Sequence, residues 1–518
     1  MNRREMLTTL GISVAGLSLG KSPGFRSRAQ SRSLPNAAPN IIFIMTDDQQ
    51  QRAMSAYGNP ILKTPNLDRI GAKGIRFTEM FVINSLCAPS RASFLTGLYS
   101  HTHGVTTNGA TTSIFRDQPG LKDEQETFVH LLRRAGYHTA LVGKWHLRSL
   151  PTGFDHWIVL PGGGGPYIDP EMITNGTRVK FRGHSDDVVG DQALTFLQQR
   201  PQDRPFCLLF NFKSPHRNWV PATRFEKAFE NIEIPIPRSF GDTFEGRPQA
   251  LRKTEMAVSV MPDFRNRGVA ETLPPEERKR RNFQQLAKNY YRTILSVDEN
   301  VGRVLDYLDK NNLAKDTLVI FSSDNGFFLG EHGLFDKRLM YEPSIRVPLL
   351  VRLPSRFKSG RVDSKHIILN IDVAPTILEI AGAPVPASMQ GRSFLPVLEG
   401  RDIAWRDAFL YEYYEYPAEH CAQKNRGIRT DRWKLIHFWE QPEEWELYDL
   451  QSDPDEMKNL YGQSDQEDRV RELRARLDAL RRETHDVDPP GPTPQVQPCV
   501  TGVFGEGHMP SGNWRWRC

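Results

Sequence analysis

A cysteine heads the string Cys87-Ala88-Pro89-Ser90-Arg91, and Ala92-Ser93-Phe94-Leu95-Thr96-Gly97 follows it. The segment predicts a turn running into a helix, with Pro89 in the first turn, where its missing N–H is not needed. Free N–H groups at a helix N-terminus favour an anion, and Arg91 adds a planar fork of donors. A thiol there is a candidate nucleophile. Cys207, inside the apolar run Phe206-Cys207-Leu208-Leu209-Phe210, reads instead as core. Two further clusters, Asp47-Asp48 and Asp324-Asn325, offer three carboxylates and an amide. Oxygen ligands suit a hard cation, Ca²⁺ or Mg²⁺; either pair alone is equally what helix caps and turns use. Lys144, His146 and His216 add cationic and proton-transfer groups, and Lys337 lies in Gly330-Glu331-His332-Gly333-Leu334-Phe335-Asp336-Lys337.

These residues share a position in the pattern of elements. Asn40 to Met45, His138 to Val142, Phe206 to Phe212 and Thr317 to Ser322 are continuous apolar runs, which read as strands buried on both faces. Helical patterns alternate with them, such as Glu126 to Ala135 and the long Arg281 to Leu308. That alternation predicts an α/β fold with a large, mostly parallel sheet sandwiched by helices, over residues 36–400. Each run ends in polar residues, and sites of open α/β sheets lie beyond the carboxyl ends of their strands. Residues 231–280 read as a Pro- and charge-rich surface insertion, and the four glycines in Leu160 to Pro166 as a flexible loop. From about 405 short strands at Phe409 to Tyr414, Gly427 to Thr430, Trp433 to Phe438 and Trp445 to Tyr448, then a helix near Gln466 to Glu483, predict a smaller antiparallel C-terminal subdomain, 405–518, with an irregular tail.

The whole ordered set, through Glu446-Leu447-Tyr448-Asp449-Leu450 and Asp453-Pro454, resembles the type I sulfatases of the alkaline phosphatase superfamily. The resemblance implies that a maturation enzyme converts Cys87 to formylglycine. It implies a metal held by Asp47, Asp48, Asp324, Asn325 and residue 87, and it alone favours Ca²⁺ over Mg²⁺. Arg91, Lys144 and Lys337 would offset the charge of the sulfate and of the hydrated aldehyde, which attacks sulfur. His216 would be the acid to the leaving oxygen, with Lys337 beside it. His146 would help deprotonate the second hydroxyl, so that sulfate is expelled. The expected substrate is a sulfated carbohydrate. Tyr411-Glu412-Tyr413-Tyr414-Glu415-Tyr416 with His420 and Arg429, and the loop His101 to Gly109, are candidate groove walls, since aromatics and carboxylates suit a sugar. The region around these residues resembles bacterial N-acetylglucosamine-6-sulfatases, which makes 6-O-sulfated N-acetylglucosamine the first choice. The alternatives are a phosphonate monoester or phosphodiester hydrolase of the same superfamily, and a sulfated-glycan binding protein whose Cys87 is never converted.

Lys and Arg number 67 against 62 Asp and Glu, but six basic residues and one acidic lie in the first 32 positions. A chain cut near there is close to neutral, so no nucleic-acid partner is expected. Arg3-Arg4 before the short apolar run Met6 to Gly20 reads as a twin-arginine signal peptide, which with its linker occupies residues 1–33. The expectation is export to the periplasm or beyond, with no stable membrane anchor. The five cysteines form no disulfide framework, although Cys499 and Cys518 could pair in an exported protein.

Overall fold

The computed structural model describes residues 38–109, 120–264, 269–270, 272–416, 419–440 and 442–487. The signal sequence, Cys499 and Cys518 lie outside them. Ten strands form the main sheet: β1 (Asn40–Thr46), β2 (Ile75–Phe77), β3 (His138–Lys144), β4 (His156–Leu160), β5 (Glu171–Thr174), β6 (Thr177–Lys180), β7 (Phe206–Asn211), β8 (Thr317–Ser323), β9 (Leu349–Arg352) and β10 (Arg361–Asp363). Their order is β10-β2-β9-β8-β1-β7-β3-β4-β5-β6. The five central strands, β8-β1-β7-β3-β4, are parallel, and β9 and β5 flank them antiparallel.

Alternation along β1 divides the core. Ile41, Phe43 and Met45 join a cluster with helices α2 (Cys87–Thr96), α3 (Phe128–Arg134) and α6 (Val373–Ala381). Ile42 and Ile44 face α1 (Pro65–Ala72), α4 (Ser185–Gln199) and the second half of α5 (Pro275–Lys310). Both faces are covered, which is why these strands are apolar throughout rather than alternating.

The first half of α5 carries a third cluster, with Phe283, Leu286, Tyr290 and Ile294 against Ile234, Phe240, Val258, Met261 and Phe264. The described residues between 231 and 280 are therefore not a loose surface insertion. Ile234, Phe240, Val258, Met261 and Phe264 lack a period but are buried against a long helix, and Phe244, Ala250, Leu251 and Met256 are buried in the cluster under the C-terminal sheet.

The C-terminal sheet is antiparallel, β11 (Ala408–Tyr413) to β14 (Glu444–Asp449) through β12 (Asn425–Thr430) and β13 (Trp433–Phe438), and α7 (Glu467–Thr484) packs on it. Tyr411 and Tyr413 are buried in a cluster shared with Phe81, Tyr99, Met340 and Tyr341. Among the described residues no helix is long and apolar enough to cross a membrane. Cys87 and Cys207 are free, and Cys421 is disulfide-bonded.

Candidate active site

The register of the parallel strands gathers the polar ends. Thr46 pairs with Ser323, Met45 with Asn211, and Gly143 with Asn211. Asp47, Asp324, Lys144 and the loop to His216 therefore leave the sheet at one end. Backbone bonds from Asp47 N to the Ser214 carbonyl, 3.2 Å, and from Asp324 N to the Thr46 carbonyl, 3.1 Å, carry the order past the last ladder pair. Helix α2 brings Cys87 over this end.

Each carboxylate meets a cation. Arg91 Nε lies 2.8 Å from Asp324 Oδ2, Lys337 Nζ lies 2.6 and 2.8 Å from the two Asp48 oxygens, and Lys144 Nζ contacts Asp47 Oδ2. All of these side chains are buried. The Cys87 thiol donates to Asp47 Oδ1 at 3.3 Å. His216 Nε2 lies 3.6 Å from Asp48 Oδ2, while its Nδ1 is 2.8 Å from the Arg217 carbonyl. Ligand atoms of Asp47, Asp48, Cys87 and His216 all lie within 4.8 Å of one another. The expected residues thus converge. His146 joins them through charge rather than a hydrogen bond, and its Nδ1 is buried without a partner.

Electrostatics follow from burial among mixed charges. Burial pushes the Asp47 carboxyl up, but Lys144, His216, Arg91 and Lys337 together hold it well below the ordinary carboxylate value. Asp324 is pushed up to about 7 by burial and then by the Asp47 charge. Burial and the Asp47 charge lift the Cys87 thiol well above its usual value. Burial opposes the charge on Lys337, yet Asp48 holds its pKa well above normal. Burial lowers both His146 and His216.

The oxygen set fits a divalent hard cation. Asp47 and Asp48 bring carboxylate oxygens within 4.8 Å of each other, and Asp324 Oδ1 lies 3.1 Å from the Asp48 amide. Asn325 Nδ2 donates to Asp48 Oδ1 at 2.6 Å and to the Gly326 carbonyl at 2.8 Å, while its Oδ1 is buried with no hydrogen-bond partner. A buried orphan amide oxygen beside three carboxylates matches what such an ion coordinates.

Two expectations change. The Ala88 amide donates to Asn108 Oδ1 at 2.9 Å and Pro89 has no N–H, so the first turn of α2 offers fewer donors to an anion than its position suggests. The carboxylates of the tyrosine-rich segment do not face a groove. Glu412 accepts from His101 N at 3.2 Å and lies 2.6 Å from His101 Nδ1, and Glu415 accepts from Asn108 N at 2.6 Å. They fasten one expected wall to the other. Arg429 is buried against Glu79 and Glu342.

Asp336 and Arg338 carried no role in the sequence reading, and His420 was read there only as part of a groove wall. Asp336 and Arg338 flank Lys337, are paired with each other, and both have left-handed backbones, φ 78° and 92°. His420 Nε2 lies 3.1 Å from Asp336 Oδ2 and 3.3 Å from Arg217 Nη1. Only the position of Asp336 and Arg338 beside Lys337 could have signalled them.

The sulfatase family profile matches residues 39–383, and one described as N-sulphoglucosamine sulphohydrolase, C-terminal, matches residues 330–483. The chain is 40% identical to an N-acetylglucosamine-6-O-sulfatase of Bacteroides thetaiotaomicron, over 93% of this chain and 92% of the relative. It is 30% identical to the human N-acetylglucosamine-6-sulfatase, over 82% and 81% of the two. The solved structure of BT4656 in complex with its substrate D-glucosamine-2-N,6-O-disulfate superposes with a TM-score of 0.80 at 39% identity, covering 87% of this chain and 99% of that one. The phosphonate monoester hydrolase of Agrobacterium radiobacter, at 23% identity and a TM-score of 0.69, shares the fold.

Proposed function

We propose, because this chain belongs to the sulfatase family, that it hydrolyses 6-O-sulfate esters of N-acetylglucosamine or closely related glucosamine residues in glycans. The observation that carries the sulfatase reading is the convergence of Cys87, three buried carboxylates and three buried cations at one sheet end. The sugar is supported by the relatives that act on 6-sulfated glucosamine.

Asp47, Asp48, Asp324 and Asn325, with residue 87, would hold the metal, and only membership of the sulfatase family favours Ca²⁺ over Mg²⁺ there. A metal held there would supply Lewis acidity toward sulfuryl oxygens. Formylglycine made from Cys87 by a maturation enzyme would supply the nucleophilic oxygen. The chain's own groups do the remainder. Arg91, Lys144 and Lys337 are fixed cations that need no reorganisation to meet a sulfate. The Nδ1 of His216 faces the Arg217 carbonyl, which leaves Nε2 to move a proton at the leaving oxygen. His146 Nδ1, buried and without a partner, is the second proton-transfer atom. Asp336 and Arg338 flank Lys337 in the chain and pair with each other, and His420 meets Asp336 Oδ2 at 3.1 Å, so together they hold the segment that carries the Lys337 cation.

A panel of defined sulfated monosaccharides tests the substrate. Release of sulfate from 6-O-sulfated N-acetylglucosamine supports it. Activity confined to a 2-O- or 4-O-sulfated sugar removes the sugar assignment and leaves the sulfatase one. Twin-arginine export to the periplasm or beyond belongs to the same proposal and rests on Arg3-Arg4. Normal export of an Arg3→Lys, Arg4→Lys double variant would overturn it.

A further inference from the structure

We infer that Tyr290, in the middle of α5 and far in sequence from the site, is a positioning residue that presets the Asp48 turn for metal binding; this rests on the metal reading above.

Asp48 has a left-handed backbone, φ 64°. For a residue with a Cβ that conformation costs about 1 kcal/mol or more, and it persists where the surroundings over-determine it. The over-determination is visible. Three successive N–H groups are each taken by a side chain: Asp48 N by Asp324 Oδ1 at 3.1 Å, Gln49 N by Ser323 Oγ at 2.8 Å, and Gln50 N by the Tyr290 hydroxyl at 2.8 Å. The same hydroxyl donates to the Asp48 carbonyl at 2.5 Å. One phenol, donor and acceptor at once, therefore spans the carbonyl of residue 48 and the amide of residue 50.

Two of these three anchors, Asp324 and Ser323, sit on or next to the second ligand segment. Tyr290 lies on a separate element. It is fully buried, stacks on Phe327 at 5.2 Å and 26°, and belongs to the packed half of a 36-residue helix. It fixes the direction in which Asp48 leaves β1 by reference to the body of the molecule. Groups that orient ligands from behind are worth about 10–100-fold in metal affinity.

The test compares wild type, Tyr290→Phe and Tyr291→Phe after chelation, by calorimetric titration with calcium chloride. Tyr291 is the matched control, a buried neighbour whose hydroxyl accepts from Asn59 Nδ2 at 3.0 Å rather than bonding residues 48 and 50. The expected result is a calcium Kd raised about tenfold or more in Tyr290→Phe and little changed in Tyr291→Phe, with similar falls in metal-free Tm. Equal Kd for Tyr290→Phe and wild type would overturn the inference, as would equal weakening in both variants. Absence of calcium binding by the wild type itself would instead remove the metal reading on which it rests. Hydrogen exchange of wild-type peptides over residues 48–52 gives a second measurement that needs no variant. Slow exchange already present without calcium supports a preset turn, and protection that arises only on adding calcium overturns it.

Discussion

Arg91 on the motif helix and Asp324 at the end of β8 are joined Nε to Oδ2 at 2.8 Å, with neither side chain reaching solvent. The pair ties the segment bearing the proposed nucleophile to the segment bearing a proposed metal ligand. Breaking one side of a buried pair leaves an uncompensated charge and costs about 3–5 kcal/mol. Arg91→Ala and Asp324→Asn are each expected to destabilise the chelator-treated protein, Arg91→Ala by about 3 kcal/mol. The double variant should lose clearly less than the sum. Denaturant unfolding of the four proteins measures this, and additive losses would show that the pair does not act as a unit.

Cys87→Ala removes the thiol at the head of α2 from which the proposed nucleophile is made. It replaces a buried thiol whose partners are Asp47 Oδ1 at 3.3 Å and Asp48 Oδ1 at 3.9 Å. Turnover is expected to fall to the uncatalysed background while Tm stays within a few degrees of wild type. Sulfate release by the purified variant near the wild-type rate would sink the assignment. The mass of the Cys87 peptide from wild type, measured alongside, reports whether conversion has occurred.

Stability should fall on acidification through His103. This imidazole is buried behind the motif helix, with Nε2 3.0 Å from Ser93 Oγ and Nδ1 accepting from Val105 N at 3.1 Å. Burial, with His101 nearby, lowers its pKa to about 3 from an ordinary 6.5. Between those values the unfolded chain binds a proton that the folded chain does not, so stability is full above 6.5 and is lost as pH falls. Between pH 7 and pH 5 the loss through this group is about 2 kcal/mol. His103→Asn should show a shallower decline over that interval. Parallel pH profiles for the two proteins would exclude His103 as the source.

Much of the site was legible because its residues lie at the ends of unusually apolar strands. Asp47, Lys144, His216 and Asp324 each follow such a run, and the parallel register carries them to one end without help from distant sequence. Tyr290, Asn108 and Ser323 were not legible. A tyrosine on the buried face of a helix, an asparagine in a loop and a serine at a strand end have the same types as ordinary packing and turn residues, and their partners are 240 and more or 20 residues away. The tyrosine-rich strand misled for a related reason. Its residue types suit a sugar, but Tyr411 OH donates to the Arg338 carbonyl and Tyr413 OH to the Glu415 carbonyl, each at 2.8 Å.

Asn108 offers a test of how the C-terminal sheet reaches the chemistry. Its side-chain carbonyl accepts from the Ala88 amide beside residue 87, and its own amide donates to Glu415. The motif helix has no side-chain cap from Leu86, so Asn108 serves as a cap supplied from another loop. Losing a cap acceptor costs about 1 kcal/mol. Asn108→Ala is expected to destabilise by about that amount and to lower kcat more than it raises KM, because it frees the turn that holds position 87 and not a sugar contact. Asn108→Asp keeps the acceptor and should recover most of the stability. A rise in KM with kcat unchanged would show that this loop meets the substrate directly, and the bond to Ala88 would then be incidental to catalysis.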